Sequence, residues 1–175
     1  GETADKSQTH IAIGFPGTKL LSEDRFPLAI LDEVLSGQGG RLFVDLRDTQ
    51  SLAYSVSAFS SPGVDPGLFG VYIGTAPEKK DRSIVEIMRL LGEIRETEIT
   101  DAELKRAKSA IIGTYEIGLQ DVISQASDMA INELLDLGYD FSSEFARKIN
   151  KVTKEEVLRA AKKYLTLDSY VISIV

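Results

Sequence analysis

Leu35-Ser-Gly-Gln-Gly-Gly-Arg-Leu-Phe-Val-Asp-Leu-Arg-Asp-Thr-Gln-Ser-Leu-Ala-Tyr-Ser-Val-Ser-Ala58 sets the architecture of the chain. Gly37, Gly39 and Gly40 interrupt any helix entering from Leu35, because each glycine adds backbone freedom that a helix must then freeze. Arg41 to Asp48 sets Leu42, Phe43 and Leu46 on one side and Arg41, Asp45 and Asp48 on another, the pattern of two amphipathic helical turns. That register leaves Arg47 beside the apolar stripe. From Leu52 the period drops to two: Tyr54, Val56, Ala58 and Ser60 face one way while Ala53, Ser55, Ser57 and Phe59 face the other, which is a strand.

Working outward, His10 to Phe15 is a short apolar run stopped by Pro16-Gly17, a strand ending at a turn. Between it and the glycines, Leu28, Leu31 and Leu35 with Ile30 and Val34 recur at helical spacing, opened by Ser22 or Asp24 as cap. Downstream, the turn-rich Pro62-Gly-Val-Asp-Pro-Gly67 leads into Leu68-Phe-Gly-Val-Tyr-Ile-Gly74, so two antiparallel strands form a hairpin with a longish loop. Pro77 opens a helix with core face Ile84, Ile87, Met88, Leu91 and Ile94. Thr100-Asp-Ala-Glu103 is a capping box, and helical patterning runs on to Leu137. Gly113 and Gly118 each weaken a helix interior by about 1 kcal/mol, so two helices broken near Gly118 to Asp121 are expected. Phe141 to Ile149 is a further short helix, Thr153-Lys-Glu-Glu156 caps another from Val157 to Leu165, and Ser169 to Val175 closes the chain as a strand. The sum is an α+β two-layer sandwich: a mainly antiparallel sheet with helices on one face. Residues 10–175 form one domain, and Gly1 to Thr9, polar throughout, is a linker end.

The formal charge of −7 carries no clustered Lys/Arg surface, which excludes phosphate-neutralising nucleic-acid binding. No apolar run approaches the roughly 20 residues that cross a bilayer. With no cysteine there is neither a disulfide framework nor a thiolate site. His10 is the single histidine, so a self-contained catalytic zinc, which takes three protein ligands, is not expected, and neither is a Ser-His-Asp triad. His10 reads as a sheet residue. The loop Ser36-Gly-Gln-Gly-Gly-Arg41 follows a helix and lacks the Lys-Ser/Thr of a phosphate loop, so its glycines read as a hinge.

What remains is Arg47, seven positions before Tyr54. Either Arg47 pairs with Asp45 or Asp48 on the surface and Tyr54 packs with its hydroxyl at the sheet edge, or the guanidinium and the phenol converge on a peptide carbonyl or developing oxyanion. Spacing alone leaves both open.

Gly39 to Ala58, with Gly67-Leu-Phe-Gly-Val-Tyr-Ile-Gly-Thr75 and Thr100-Asp-Ala-Glu-Leu-Lys-Arg-Ala-Lys108, closely resembles the C-terminal, non-zinc half-domain of the pitrilysin/insulinase (M16) zinc metallopeptidases of bacterial type, whose fold is LuxS-like. The group includes mitochondrial processing peptidase. The resemblance implies two homologous domains closing like a clam shell, with zinc held by an inverted His-x-x-Glu-His motif on the other domain. This sequence has no such motif, and its first long helix, Arg25 to Leu35, has no histidine. The resemblance therefore implies that zinc is bound by a partner domain, in cis or in trans, and that this chain alone is inactive. Arg47 would hold a substrate carbonyl, and Tyr54 would bind substrate and stabilise the oxyanion. Peptide is the implied substrate, a homo-oligomer is compatible, and the compartment is left open between the bacterial cytoplasm and periplasm. The alternative it implies is a non-catalytic binding or scaffold subunit.

Overall fold

The computed structural model describes residues 8–37 and 39–175. The linker expected over residues 1–9 thus falls mostly outside the described residues, and Thr9 already belongs to the first strand. The elements run β1 (Thr9–Pro16), α1 (Arg25–Ser36), a π-helical segment (Phe43–Thr49), β2 (Ala53–Ser61), β3 (Leu68–Thr75), a 3₁₀ turn (Pro77–Lys79), α2 (Lys80–Glu96), α3 (Asp101–Gly118), α4 (Val122–Leu134), α5 (Phe141–Lys151), α6 (Lys154–Tyr164) and β4 (Val171–Ile174).

The sheet has the order β2-β3-β1-β4, and every pairing is antiparallel. Its register sets Ile11 opposite Ile73, Ile13 opposite Val71 and Phe15 opposite Phe69. Opposed residues share a face, so these six side chains line one side, where all are 0–1% exposed. Leu28, Leu31, Val34 and Leu35 of α1 and Ile87 and Leu91 of α2 pack in the same core. Each such burial stabilises by about 1.5–3 kcal/mol relative to exposure, so this face holds the helical layer. The opposite face carries Ala12, Gly14, Ser57 and Tyr72 and is half-open. His10 sits there at the start of β1, its Nδ1 2.7 Å from the Tyr72 hydroxyl.

Both capping boxes form, at Thr100/Glu103 and Thr153/Glu156. The long helical pattern breaks after Gly118, and Asp121 restarts it by accepting the Ser124 N–H at 2.9 Å. The two-layer α+β architecture is the one the sequence patterning implies.

Two local expectations are corrected. The amphipathic helix over residues 41–48 is π-helical from Phe43 to Thr49, closed by Gln50 N–H on the Asp45 carbonyl. The wider turn keeps Leu42 and Leu46 fully buried while Asp45 turns to α2. The alternation of β2 also fails at its start: Ala53 opposes Thr75 and Ser55 opposes Gly74, leaving Tyr54 as the extra residue of a β-bulge. Ala53 therefore shares the core face with Val56, and Tyr54, expected beside Val56, is thrown outward.

Candidate functional site

The segment carrying Arg47 and Tyr54 is held from behind at three points. At its entry, Gly40 N–H meets the Gly37 carbonyl, and a Cβ on Gly40 would lie 2.6 Å from the Leu35 carbonyl oxygen, so only glycine fits. The expected hinge glycines thus build a tight turn. Next, Arg41 donates to Glu103 of α3 through Nε at 2.7 Å and Nη2 at 3.0 Å. Such forked pairs fix geometry as well as charge. Arg41 foremost, against the opposing effect of burial, pushes the Glu103 pKa down to about 2.

The third point is a knot on α2. Arg89 donates to Asp45 at 2.8 Å, Glu86 at 2.7 Å and Glu93 at 2.6 Å, while Gln50 donates to Asp45 and Glu86. Burial raises the Asp45 carboxyl, but the hydrogen bonds from Gln50 and Arg89 outweigh it and hold it below the usual range. The Arg89 guanidinium is pushed up, by Glu86 first and then Asp45 and Glu93. Beyond the knot, Ser51 turns the chain at φ 52°, Lys79 Nζ donates to its carbonyl at 2.9 Å, and Thr75 Oγ1 donates to the Leu52 carbonyl at 2.6 Å.

The knot decides where Arg47 goes. Asp45, one of its two expected surface partners, belongs to Arg89. Among the described residues Arg47 has no ion pair; its guanidinium lies 4.7 Å from the centre of the Phe43 ring and is exposed. Tyr54, on the bulge, is 55% exposed. Arg47 thus sits on the π-helical segment that packs against the edge strand β2 and Tyr54 near the start of that strand, both without a protein hydrogen-bond partner among the described residues.

Among the described residues no group of three or more His, Cys, Asp or Glu side chains converges to hold a metal, so no donor set here fits zinc. A feature missed in the sequence is a carboxylate pair on α1. Asp32 Oδ2 accepts the Ser60 N–H at 3.0 Å and its Oδ1 accepts the Ser36 hydroxyl at 2.9 Å, with Glu33 beside it. Burial pushes both carboxyls up. The one available signal was two adjacent acids inside an apolar helical pattern.

The profile described as the peptidase M16 inactive domain matches residues 2–111, more than half of the chain. The chain belongs to the M16 peptidase family. Within it, this M16 domain is 30% identical over 165 residues to an uncharacterized zinc protease of Bacillus subtilis, covering 94% of this chain and 40% of that protein. It is 32% identical over 161 residues to an uncharacterized zinc protease of Streptomyces coelicolor, covering 90% of this chain and 35% of that one. The M16 domain thus spans well under half the length of these relatives. In fold it superposes on the peptidase M16 inactive domain from Pseudomonas fluorescens with a TM-score of 0.86 at 22% identity, over 96% of this chain and 40% of that chain. A protease from Helicobacter pylori gives 0.83 at 20% identity, over 96% and 41%.

Proposed function

We propose that this M16 domain is the substrate-binding, non-zinc half of a zinc-dependent endopeptidase, completed by a homologous zinc-bearing domain on the same polypeptide or on a separate subunit. The observation that carries the reading is the pairing of two exposed, unpartnered polar groups, Arg47 and Tyr54, on a segment anchored from behind by Arg41–Glu103 and by the Arg89 knot. Surface arginines on an acidic protein ordinarily find a carboxylate; here Asp45 is held elsewhere, which keeps the guanidinium open for a ligand. A guanidinium and a phenol in that state are suited to donate hydrogen bonds to a peptide carbonyl and to the oxygen that becomes negative when that carbonyl is attacked. An anchored donor aids catalysis because no reorganisation is needed as charge develops. Attack on the carbonyl falls to the zinc-bearing partner, since this chain offers no metal donor set among its described residues.

Turnover of a fluorogenic peptide by the complete assembly tests this. Removing one oxyanion donor costs about 10²–10³ in kcat, so Arg47→Ala or Tyr54→Phe should each lose at least about 100-fold, while this domain alone with added zinc cleaves nothing. Wild-type turnover in either variant refutes the catalytic reading and leaves a scaffold role.

A further inference from the structure

A helix on a globular body ordinarily turns its apolar stripe to the core, and α4 does the reverse. Its only residues that are not exposed are Ser124, Asp128 and Asn132, all polar, spaced i, i+4 and i+8 along one line. Val122, Ile123, Ala126, Met129, Ala130 and Leu134 fall on the other side, where Val122, Ile123 and Leu134 are 79%, 79% and 81% exposed. Hydrogen bonds fix this rotation. The Tyr115 hydroxyl of α3 donates to the Asp128 carboxylate, 3.1 Å from each oxygen, and Asn132 Nδ2 donates to Asp128 Oδ2 at 2.7 Å. The Tyr115 ring is in turn held by the Phe145 ring of α5, 4.0 Å away between centres. Rolling α4 to bury its stripe would strand these polar groups without partners, so the apolar side stays outward.

The stripe runs about 18 Å from Val122 to Leu134 at helical rise. At Leu134 it continues into a hollow of about 330 Å³ lined by Leu20, Leu21, Val64 and Leu135 with Lys19 and Asp136. A contiguous apolar surface of this kind marks a contact with another molecule or domain. Charge selects the occupant. From Glu116 to Asp140 the chain carries six carboxylates, Glu116, Asp121, Asp128, Glu133, Asp136 and Asp140, and no Lys, Arg or His. Two copies laid stripe to stripe would oppose like charges. A helix that lies in a membrane surface carries Lys and Arg on its polar face, the opposite of what α4 offers. The complementary occupant is a protein surface with an apolar centre and a rim of lysine or arginine.

We infer that α4 docks the zinc-bearing domain of the proposed peptidase, seating Val122, Ile123 and Leu134 on an apolar surface of that domain rimmed by lysine or arginine. This rests on the two-domain reading above. Relatives of which this M16 domain covers 40% and 35% have room for such a partner. The docking helix and the Arg47–Tyr54 pair lie on different elements, so either can fail without the other.

The test uses the intact protein that contains this domain, with the photo-crosslinking residue p-benzoylphenylalanine in place of Ile123, Leu134 or, as a control on exposed α6 surface, Lys162. After irradiation the joined peptides are identified by mass spectrometry. Both stripe positions should crosslink to the zinc-bearing domain, and Lys162 should not. Glu133→Lys places a cation against the basic rim and should cut the Leu134 yield at least about 10-fold, whereas Glu133→Gln should leave it within about 3-fold. Crosslinks to α4 of a second copy, to lipid or only within this domain, no crosslinks, or a yield indifferent to Glu133→Lys overturn the inference. Arg47→Ala should abolish turnover and leave the crosslinks unchanged. Crosslinks to the zinc-bearing domain with wild-type turnover in Arg47→Ala would sink the catalytic reading alone; lost turnover without those crosslinks would sink the docking alone.

Discussion

Glu103→Gln cuts the Arg41 anchor of the segment that carries Arg47, and its effect follows from the geometry. The Glu103 carboxylate takes Arg41 at 2.7 and 3.0 Å and the Thr100 N–H at 2.7 Å. Arg41 chiefly, with burial opposing and Thr100 assisting, takes its pKa from 4.5 to about 2. A shift of that size corresponds to about 3 kcal/mol taken whole, and partial solvation of the pair screens it to about 1–2 kcal/mol. Because the folded-state pKa is depressed, this stability is complete above about pH 5 and is lost as pH falls from 4.5 towards 2. Urea unfolding followed by circular dichroism should therefore show Glu103→Gln less stable than wild type by about 1–2 kcal/mol at pH 7, with the gap narrowing steadily between pH 5 and pH 3. A gap of constant size across that range, or none at pH 7, would show that the Arg41–Glu103 pair does not hold the segment.

Two further predictions concern other parts of the chain. Burial first, then the hydrogen bond to Asp128, pushes the Tyr115 pKa up to about 12, so its contribution is present below pH 10 and lost between pH 10 and 12; the step near pH 12 in 295 nm absorbance should vanish in Tyr115→Phe, and its persistence would refute the assignment. Gly40→Ala would place a methyl 2.6 Å from the Leu35 carbonyl oxygen and 2.7 Å from that of Gly37, so the turn must open, costing about 1–3 kcal/mol in a thermal or urea melt; a change under about 0.5 kcal/mol would mean that the turn yields freely.

The anchors give the proposed site its physical logic. Two ion-pair clusters sit behind the Phe43–Thr49 segment, on α2 and α3, while the segment presents Arg47 and the start of β2 presents the bulged Tyr54. Ion pairs are thus concentrated behind the segment, while Arg47 and Tyr54 are left exposed without a protein partner among the described residues. Sites commonly hold such unspent hydrogen-bonding capacity at some cost to local stability.

Features that depend on near neighbours along the chain were legible in the sequence. Capping boxes at Thr100 and Thr153 act over three residues, the break after Gly118 follows from local propensity, and the change of period at Leu52 reports a strand directly. For Arg47 and Tyr54 spacing left surface pairing and convergence on a ligand both open, and only the family resemblance pointed to the second. Contacts between distant residues came only with the tertiary structure. Arg89, far along the chain, claims Asp45 and so leaves Arg47 open; Arg41 finds Glu103 on α3; the pairing with β3 inserts the bulge that turns Tyr54 outward; and Ser60 gives Asp32 its edge-capping place. Periodicity along one segment carries no record of which other segment will lie against it, and those contacts are what leave Arg47 and Tyr54 exposed and unpaired among the described residues.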